Sequence, residues 1–207
     1  MHNLVGIIDI GIGNIKSISN AVNYLGHDFE ILKKPSESCS HLILPGVGNF
    51  GEGSTLLTDE WRSMIYSHVK KGNLIMGICL GMQLLFNSSE ESTGNGLGLL
   101  SGKITILKND NKDFFLPRIG WRLVSYPENY KGILGTSNQK SKYYFVHSYG
   151  LIKNLINKKI DFQIVEEIQD NLGVAASVEK ENIIGVQYHP EKSGLFGLDI
   201  LKNFIEK

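Results

Sequence analysis

Strand patterns alternate with helix patterns through the first half of the chain, and this alternation constrains the fold more than any other feature. Apolar segments that predict strands cover residues 4–10, 29–32, 41–44 and 74–78. The segments between them carry apolar residues at spacings of three and four, which predict helices over 15–25 and 56–69 that stop at Gly26 and Gly72. A further helix is expected over 80–86. The pattern predicts βα units and a mainly parallel sheet.

The second half of the chain has a different pattern. From residue 101 to residue 186 there are few helix patterns, and short strands are predicted over 143–146, 162–168, 174–178 and 183–187. These strands predict antiparallel additions to the edge of the sheet. A last helix is expected over 197–205. Because the chain has no internal repeat and no convincing linker, residues 1–207 are expected to form a single domain.

Composition argues against several classes of protein. Lys plus Arg equals Asp plus Glu at 21 each, so no overall field favours nucleic acid. The longest apolar stretch, 74–82, is about half of the ~18 residues that a membrane span needs, and the first residues lack a secretory signal. Cys39 and Cys79 make no disulfide framework, and neither has a partner at metal-ligand spacing. We expect a reduced, cytoplasmic protein without metal, cofactor, nucleic-acid partner or membrane partner.

The strongest local signal for chemistry is the segment Gly77-Ile78-Cys79-Leu80-Gly81, which follows a predicted strand and precedes a predicted helix. A nucleophile elbow requires this context, because side chains two residues away on either side of the sharp turn would collide. The helix N-terminus beyond the turn also lowers a thiol pKa and offers free N–H groups to an oxyanion. The alternative is a small buried cysteine in a tightly packed turn.

A reactive thiol needs a base, and two of the six histidines stand at the ends of predicted strands, His147 and His189. His189 has the better surroundings because Pro190 and Glu191 follow it. Residues two apart on an extended chain point to the same side, so Glu191 is expected to reach the imidazole and fix its tautomer. Taken alone, the same three residues could form a strand-end turn with a surface ion pair.

The segment Pro45-Gly46-Val47-Gly48 is expected to be irregular, because two glycines and a proline suit neither a helix nor a strand. Its glycines would let backbone N–H groups turn toward a tetrahedral intermediate, as an oxyanion strand requires. A plain glycine-rich turn is the alternative.

Together these residues resemble the class I (triad) glutamine amidotransferases, and most closely the HisH-type glutaminase subunits of imidazole glycerol phosphate synthases. The similarity extends over nearly the whole chain. It rests on Asp9-Ile10-Gly11-Ile12-Gly13-Asn14, Leu44-Pro45-Gly46-Val47-Gly48, Gly77-Ile78-Cys79-Leu80-Gly81-Met82-Gln83, Ile119-Gly120-Trp121, Tyr144-Phe145-Val146-His147-Ser148-Tyr149 and Gln187-Tyr188-His189-Pro190-Glu191-Lys192-Ser193. The resemblance implies an α/β, three-layer, flavodoxin-like domain with a mixed, mainly parallel central sheet.

The resemblance also implies residue roles. A triad of Cys79, His189 and Glu191 would form a γ-glutamyl thioester that water hydrolyses. His147 would be a pocket-wall residue. The residues that would bind glutamine are Gly46, Gly48, Leu80, Gln83, Ser148 and Tyr149, with Val47 and Leu80 at the oxyanion site.

A HisH-like subunit would form a heterodimer with a HisF-type (β/α)₈ cyclase, which receives the ammonia and makes imidazole glycerol phosphate and AICAR in histidine biosynthesis. Asn14, Trp121 and Lys192 match family positions near that interface. One departure stands beside them: Arg118 and Arg122 occupy positions where the family commonly has a histidine and an asparagine. This favours, as an alternative, a paralogue that supplies ammonia to a HisF-like synthase in surface-sugar biosynthesis.

Two other classes of function remain open from the sequence. One is a stand-alone thiol hydrolase on a related scaffold, such as a peptidase or deglycase, which the His-Pro-Glu segment disfavours. The other is a non-catalytic binding module that kept the fold, which the intact triad disfavours.

Overall fold

The computed structural model describes residues 3–108, 115–126, 130, 132–135, 140–156, 161–168 and 172–207. Five helices are α1 (Ile15–Tyr24), α2 (Phe50–Leu56), α3 (Asp59–Lys70), α4 (Leu80–Leu84) and α5 (Gly194–Ile205). The strands are β1 (Val5–Ile8), β2 (Phe29–Leu32), β3 (His41–Gly46), β4 (Leu74–Cys79), β5 (Ser88–Ser89), β6 (Lys103–Ile106), β7 (Arg118–Ser125), β8 (Lys140–His147), β9 (Tyr149–Gly150), β10 (Gln163–Glu167), β11 (Ala175–Lys180) and β12 (Ile183–Val186). Within this part of the chain, no helix is long and apolar enough to cross a membrane.

The main sheet has nine strands in the order β2-β1-β3-β4-β12-β11-β10-β7-β8. Neighbours from β2 to β12 run parallel, and neighbours from β12 to β8 run antiparallel. The expected mixed α/β sheet is therefore confirmed. The strand predicted over 183–187 was expected to be an antiparallel addition at the edge of the sheet. This expectation is correct for its pairing with β11 and wrong for its pairing with β4 and for its position. β12 is fully buried at the centre of the sheet, where it pairs parallel with β4 and antiparallel with β11.

Apolar side chains fill both faces of the sheet, which gives the three layers. Ile8 of β1 faces a cluster that contains Phe50 of α2 and Ile65 of α3. Val5, on the opposite face, belongs to a cluster that contains Val22 of α1 and Phe204 of α5. A sheet covered on both faces needs nearly continuous apolar strands. Every residue of β1 is buried, and the strand carries no polar side chain.

The single helix predicted over 56–69 is two helices. α2 ends at Leu56, Leu57 turns the backbone away with ψ 77°, and α3 begins at Asp59. Leu57 is buried in the core at this break, so its apolar character extended the pattern of α3 backward. Thr58 occupies the N-cap position, where its hydroxyl donates to Oε2 of Glu60 over 2.7 Å, and the acidic residues of the first turn suit the positive end of a helix.

The segment Pro45-Gly46-Val47-Gly48 is not irregular throughout, because β3 continues to Gly46. The pairing of β3 with β1 stops at Ile43, whereas its pairing with β4 continues to Gly46. Pro45 therefore lies where the strand has a neighbour on one side only, and a missing N–H donor is tolerated there. The prediction failed because it treated proline as incompatible with any strand.

Candidate active site

Cys79 lies at the junction of β4 and α4 in strained backbone, with φ 55° and ψ −110°. A Cβ on Gly77 would lie 2.6 Å from the carbonyl oxygen of Gly81, and a Cβ on Gly81 would overlap the carbonyl oxygen of Leu44. Only glycine fits at both positions, as the elbow pattern predicts. Positive φ is unusual for a residue with a side chain, and such strain is concentrated at functional sites.

The order of the strands brings the remaining parts of the site to Cys79. β3 lies on one side of β4 and pairs Gly46 with Cys79. β12 lies on the other side and pairs Val186 with Ile78, so the chain leaving β12 passes beside the elbow. The carboxyl ends of these parallel strands meet at one edge of the sheet, where α/β proteins commonly place their sites.

His189 and Glu191 form a buried pair. The Nδ1 of His189 donates to Oε1 of Glu191 over 2.8 Å, and both side chains are almost fully shielded from solvent. The contact agrees with the expectation, but the reason given for it is wrong. The chain is not extended after His189, because Pro190–Lys192 forms one turn of 3₁₀-helix that carries Glu191 back to the ring.

The pKa values of the two candidate histidines are shifted in opposite directions by their surroundings. Burial lowers the pKa of His189, but Cys79 and Glu191 outweigh it and raise the pKa to about 9. Burial lowers the pKa of His147 to about 4, so that ring stays neutral. The Nδ1 of His147 donates to the carbonyl oxygen of Tyr149 over 2.9 Å. A thiolate therefore has a positively charged neighbour in His189 and none in His147.

A cavity of about 220 Å³ opens in front of Cys79, which is small enough to suit an amino acid. Its walls include the expected residues Val47, Gly48, Leu80, Gln83, His147, Ser148 and Tyr149. Gly46 is not in the wall. It packs against the start of α4, where a Cβ would come within 2.8 Å of Leu80 and Gly81.

Three further wall residues were missed by the sequence reasoning: Glu91, Pro117 and Val146. Glu91 lies in a loop, and one of its carboxylate oxygens accepts from the N–H of Phe50 over 2.7 Å. No local pattern marks Glu91, whereas Pro117 directly precedes Arg118 in the segment that was compared with the family pattern. Val146 lies inside the Phe-Val-His-Ser-Tyr segment, which was the available signal.

The expected oxyanion donors lie on different elements, one after β3 and one at the start of α4. Val47 follows β3, and Gly48 beside it has φ 125°, a conformation that favours glycine. Leu80 is the first residue of α4, and the N–H groups of a first helical turn have no acceptor within the helix. Both residues line the cavity.

The three expected interface residues lie on separate elements. Asn14 caps α1, with its side chain accepting from the N–H of Ser17. Lys192 is exposed in the 3₁₀ turn directly after Glu191. Trp121 is 52% exposed on β7, where its ring contacts Tyr144 edge-on.

Arg118 and Arg122 do not face the same side as Trp121. Side chains alternate along β7, so Ile119 and Trp121 are exposed while Arg118 is 1% exposed. Both guanidinium groups reach Oε1 of the buried Glu167, at 2.6 Å from Arg118 and 3.4 Å from Arg122. Strand alternation turns both arginines toward Glu167, and the expectation that they stand beside the partner surface stays a prediction.

The described residues contain no group of three or more His, Cys, Asp or Glu side chains that could hold a metal ion. The chemistry that these residues can perform is nucleophilic attack by a thiol with an adjacent imidazole and a carboxylate that orients it.

Comparison with known proteins agrees with this geometry. A family model described as "Glutamine amidotransferase class-I" matches residues 6–207. The chain is 38% identical to the imidazole glycerol phosphate synthase subunit HisH of Bacillus subtilis, with 97% of this chain and 95% of that protein covered. It is 40% identical to the HisH subunit of Pyrococcus furiosus, with 97% of each covered.

Solved structures with low sequence identity share the fold. One is PurLQS from Thermotoga maritima, with a TM-score of 0.74 and 21% identity, covering 100% of this chain and 99% of that one. Another is the glutaminase domain of CTPS from Trypanosoma brucei, with a TM-score of 0.62 and 15% identity, covering 99% of this chain and 94% of that one.

Proposed function

The chain belongs to the class-I glutamine amidotransferase family, and on this premise we propose that it is the glutaminase subunit of a two-protein synthase. It hydrolyses glutamine to glutamate and ammonia, and it passes the ammonia to a HisF-type cyclase that makes imidazole glycerol phosphate and AICAR. The observation that carries the proposal is the Nδ1–Oε1 bond of His189 and Glu191, 2.8 Å long, beside the strained Cys79 at the cavity.

In the first half of the reaction, Cys79 becomes acylated. His189 takes the thiol proton, and the sulfur attacks the side-chain carbonyl carbon of glutamine. The N–H groups of Val47 and Leu80 stabilise the negative oxygen of the tetrahedral intermediate. The C–N bond then breaks, the imidazolium gives its proton to the departing nitrogen, and ammonia leaves a γ-glutamyl thioester.

In the second half, water releases glutamate. His189 takes a proton from the water, whose oxygen attacks the thioester carbonyl. The C–S bond breaks, and its electron pair returns to the sulfur of Cys79. Glu191 holds His189 in one tautomer throughout, because its carboxylate accepts from Nδ1.

The cavity recognises glutamine through a few polar groups on an apolar wall. Gly48, Leu80, Gln83, Ser148 and Tyr149 line it, and Gly46 allows β3 to approach the start of α4 closely. The carboxylate of Glu91 offers an opposite charge to the ammonium group of the amino acid. The neutral His147 is part of the wall and takes no proton in the reaction.

The cyclase docks at the edge of the sheet where the site opens, as a heterodimer. Ile119 and Trp121 are exposed apolar side chains on β7, a few residues after Pro117 of the cavity wall. Asn14 and Lys192 add polar contacts. Residues 1–207 act as one domain in this assembly, and the pathway operates in the cytoplasm.

One experiment separates the two histidines, with glutamate release measured in the presence of the cyclase. His189→Asn is expected to lower kcat by at least about 10³-fold, because the thiol loses its base. His147→Asn is expected to act mainly on KM, because it alters the wall. A larger loss of kcat in His147→Asn than in His189→Asn would contradict the proposed triad.

A second experiment identifies the partner and the substrate class. Turnover of the histidine-pathway substrate by the pair supports the proposal, and turnover only of a sugar acceptor with a HisF-like synthase would assign the chain to the paralogue.

A chloroketone analogue of glutamine is expected to label Cys79. Labelling by peptide electrophiles alone would assign a stand-alone thiol hydrolase.

A further inference from the structure

A chain of hydrogen bonds leads from the wall of the cavity to the sulfur of Cys79. The Nε2 of Gln83 donates to the carbonyl oxygen of Tyr149 over 2.9 Å and to Oε1 of Gln187 over 3.0 Å. The Nε2 of Gln187 in turn donates to Sγ of Cys79 over 3.7 Å. The thiol of Cys79 also donates to the carbonyl oxygen of Val146, at 4.0 Å.

The direction of this chain is fixed by its far end. The carbonyl oxygen of Tyr149 can only accept, so the group of Gln83 that faces it must be the amide nitrogen. The same nitrogen faces Gln187, which must therefore present its oxygen to Gln83 and its N–H to the sulfur. Gln187 is fully buried and Gln83 nearly so, which removes water as a competing partner.

The position of Gln187 in the sheet explains why it reaches the sulfur. β12 pairs Val186 with Ile78 of β4, so Gln187 is one step beyond the last pair and adjacent to Cys79. Its own N–H bonds to the carbonyl oxygen of Ala176 in β11, which anchors the backbone. Gln187 thus directly follows a central strand, and its backbone stays hydrogen-bonded to the neighbouring strand.

We propose that Gln187 is a further catalytic residue of the glutaminase reaction, which donates a hydrogen bond to the thiolate of Cys79. This inference rests on the proposed function. The thiolate exists before attack, and it reappears when the C–S bond of the thioester breaks and its electron pair returns to the sulfur. An N–H donor stabilises the sulfur at both points, because hydrogen bonds to charged groups are stronger than those to neutral ones.

The test uses two substitutions of Gln187 with different charge. Gln187→Met keeps the approximate volume and removes the donor, whereas Gln187→Glu keeps the volume and sets a carboxylate against the sulfur. Gln163→Met, at an exposed position on β10, is the matched control. The measurements are the pH midpoint of Cys79 alkylation by iodoacetamide and the steady-state release of glutamate. The titratable groups that line the cavity or pair with His189 are unchanged in all three variants: His189, Glu191, His147, Glu91 and Tyr149.

Gln187→Met is expected to raise the alkylation midpoint by roughly one pH unit and to lower kcat about tenfold, with KM changed less than about threefold. Gln187→Glu is expected to raise the midpoint further than Gln187→Met does. If Gln187 had only a structural role, the alkylation midpoint would not be expected to rise more in Gln187→Glu than in Gln187→Met. Midpoints equal to that of Gln163→Met in both variants, or a smaller shift in Gln187→Glu, would overturn the inference.

Failure of the proposed function has a different signature. In that case the unsubstituted chain releases no glutamate, so there is no kcat against which the Gln187 variants could be compared. If Gln187→Met does not fold, the comparison of Gln187→Glu with the unsubstituted chain still decides, since an unchanged midpoint with a carboxylate beside the sulfur overturns the inference.

Discussion

At the scale of single residues, the charge of His189 determines how the site responds to pH. The thiolate and Glu191 outweigh burial and raise its pKa to about 9, so the imidazolium persists through the neutral range. In the proposed mechanism the imidazolium is the acid that protonates the departing nitrogen. We therefore expect kcat/KM for glutamine to fall as the pH rises through about 9, which a profile from pH 6 to 10 would measure.

Glu191→Gln is the matched variant for this profile. It keeps the size of the side chain and removes the charge that holds the proton on His189, so the alkaline fall should move to lower pH. A profile without a fall between about pH 8 and 10, or one that Glu191→Gln leaves in place, would show that His189 is not the acid.

Residues that belong to a short contiguous motif could be predicted from the sequence. Cys79 stands in its glycine pattern, and His189 and Glu191 are two positions apart. Gln187 and Glu91 were not assigned roles, because their contacts with the site join segments far apart in the chain. Pairing of strands creates such contacts, and no local pattern records it.

At the scale of elements, the β4–α4 elbow depends on its glycines. A Cβ at Gly81 would overlap the carbonyl oxygen of Leu44 in β3, which is backbone and cannot move aside. We expect Gly81→Ala to destabilise the chain by at least about 3 kcal/mol and to abolish glutaminase activity, as measured by urea unfolding and glutamate release.

Gly150→Ala is the control for that substitution. A Cβ at Gly150 would meet its nearest neighbours at 3.6 Å, an ordinary van der Waals distance, so its effect on unfolding should stay within about 1 kcal/mol. Equal losses in the two variants would contradict the steric account of the elbow.

Element boundaries were predicted less well than element types. The 56–69 pattern merged the end of α2 with α3, because the buried Leu57 continues the apolar spacing through the break. α2 itself was not expected, because Gly51 and Gly53 lower helix propensity. The structure uses both glycines for close contacts, with Ser92 and Thr93 at Gly51 and with Leu84 at Gly53.

At the scale of the whole molecule, the order of strands explains how distant segments form one site. β3, β4 and β12 are adjacent and parallel, so their carboxyl ends bring Val47, Cys79 and His189 to one edge. The alternation of strands and helices predicted the parallel half of the sheet. It could not predict that β12, which comes last in the chain, inserts at the centre of the sheet beside β4.

Buried histidines also give the whole molecule a pH-dependent stability. Burial lowers the pKa of His41 and of His147 to about 4, below the 6.5 of the unfolded chain. Between these values the unfolded chain binds more protons than the folded chain. The stability that the two buried histidines contribute is therefore fully present above pH 6.5 and is lost as the pH falls toward 4. We expect urea unfolding to show a loss of about 6 kcal/mol over this range, roughly 3 kcal/mol for each of the two histidines.

His189 acts in the opposite direction, since its pKa is raised. Its contribution is complete below pH 6.5 and is lost as the pH rises through about 9, so the three histidines together place maximum stability near pH 6.5. His41→Asn should flatten the acid limb, because that histidine no longer titrates. An acid limb as steep as that of the unsubstituted chain would contradict this assignment.

The most direct measurement of the central claim is glutamate release by the chain with its cyclase partner, compared between substitutions of the two cysteines. Cys79→Ala should reduce the rate by at least about 10⁴-fold, because it removes the atom that forms the thioester. Cys39→Ala, at a buried cysteine outside the site, should keep a rate close to that of the unsubstituted chain. Hydrolysis of glutamine by Cys79→Ala at the unsubstituted rate would contradict the account.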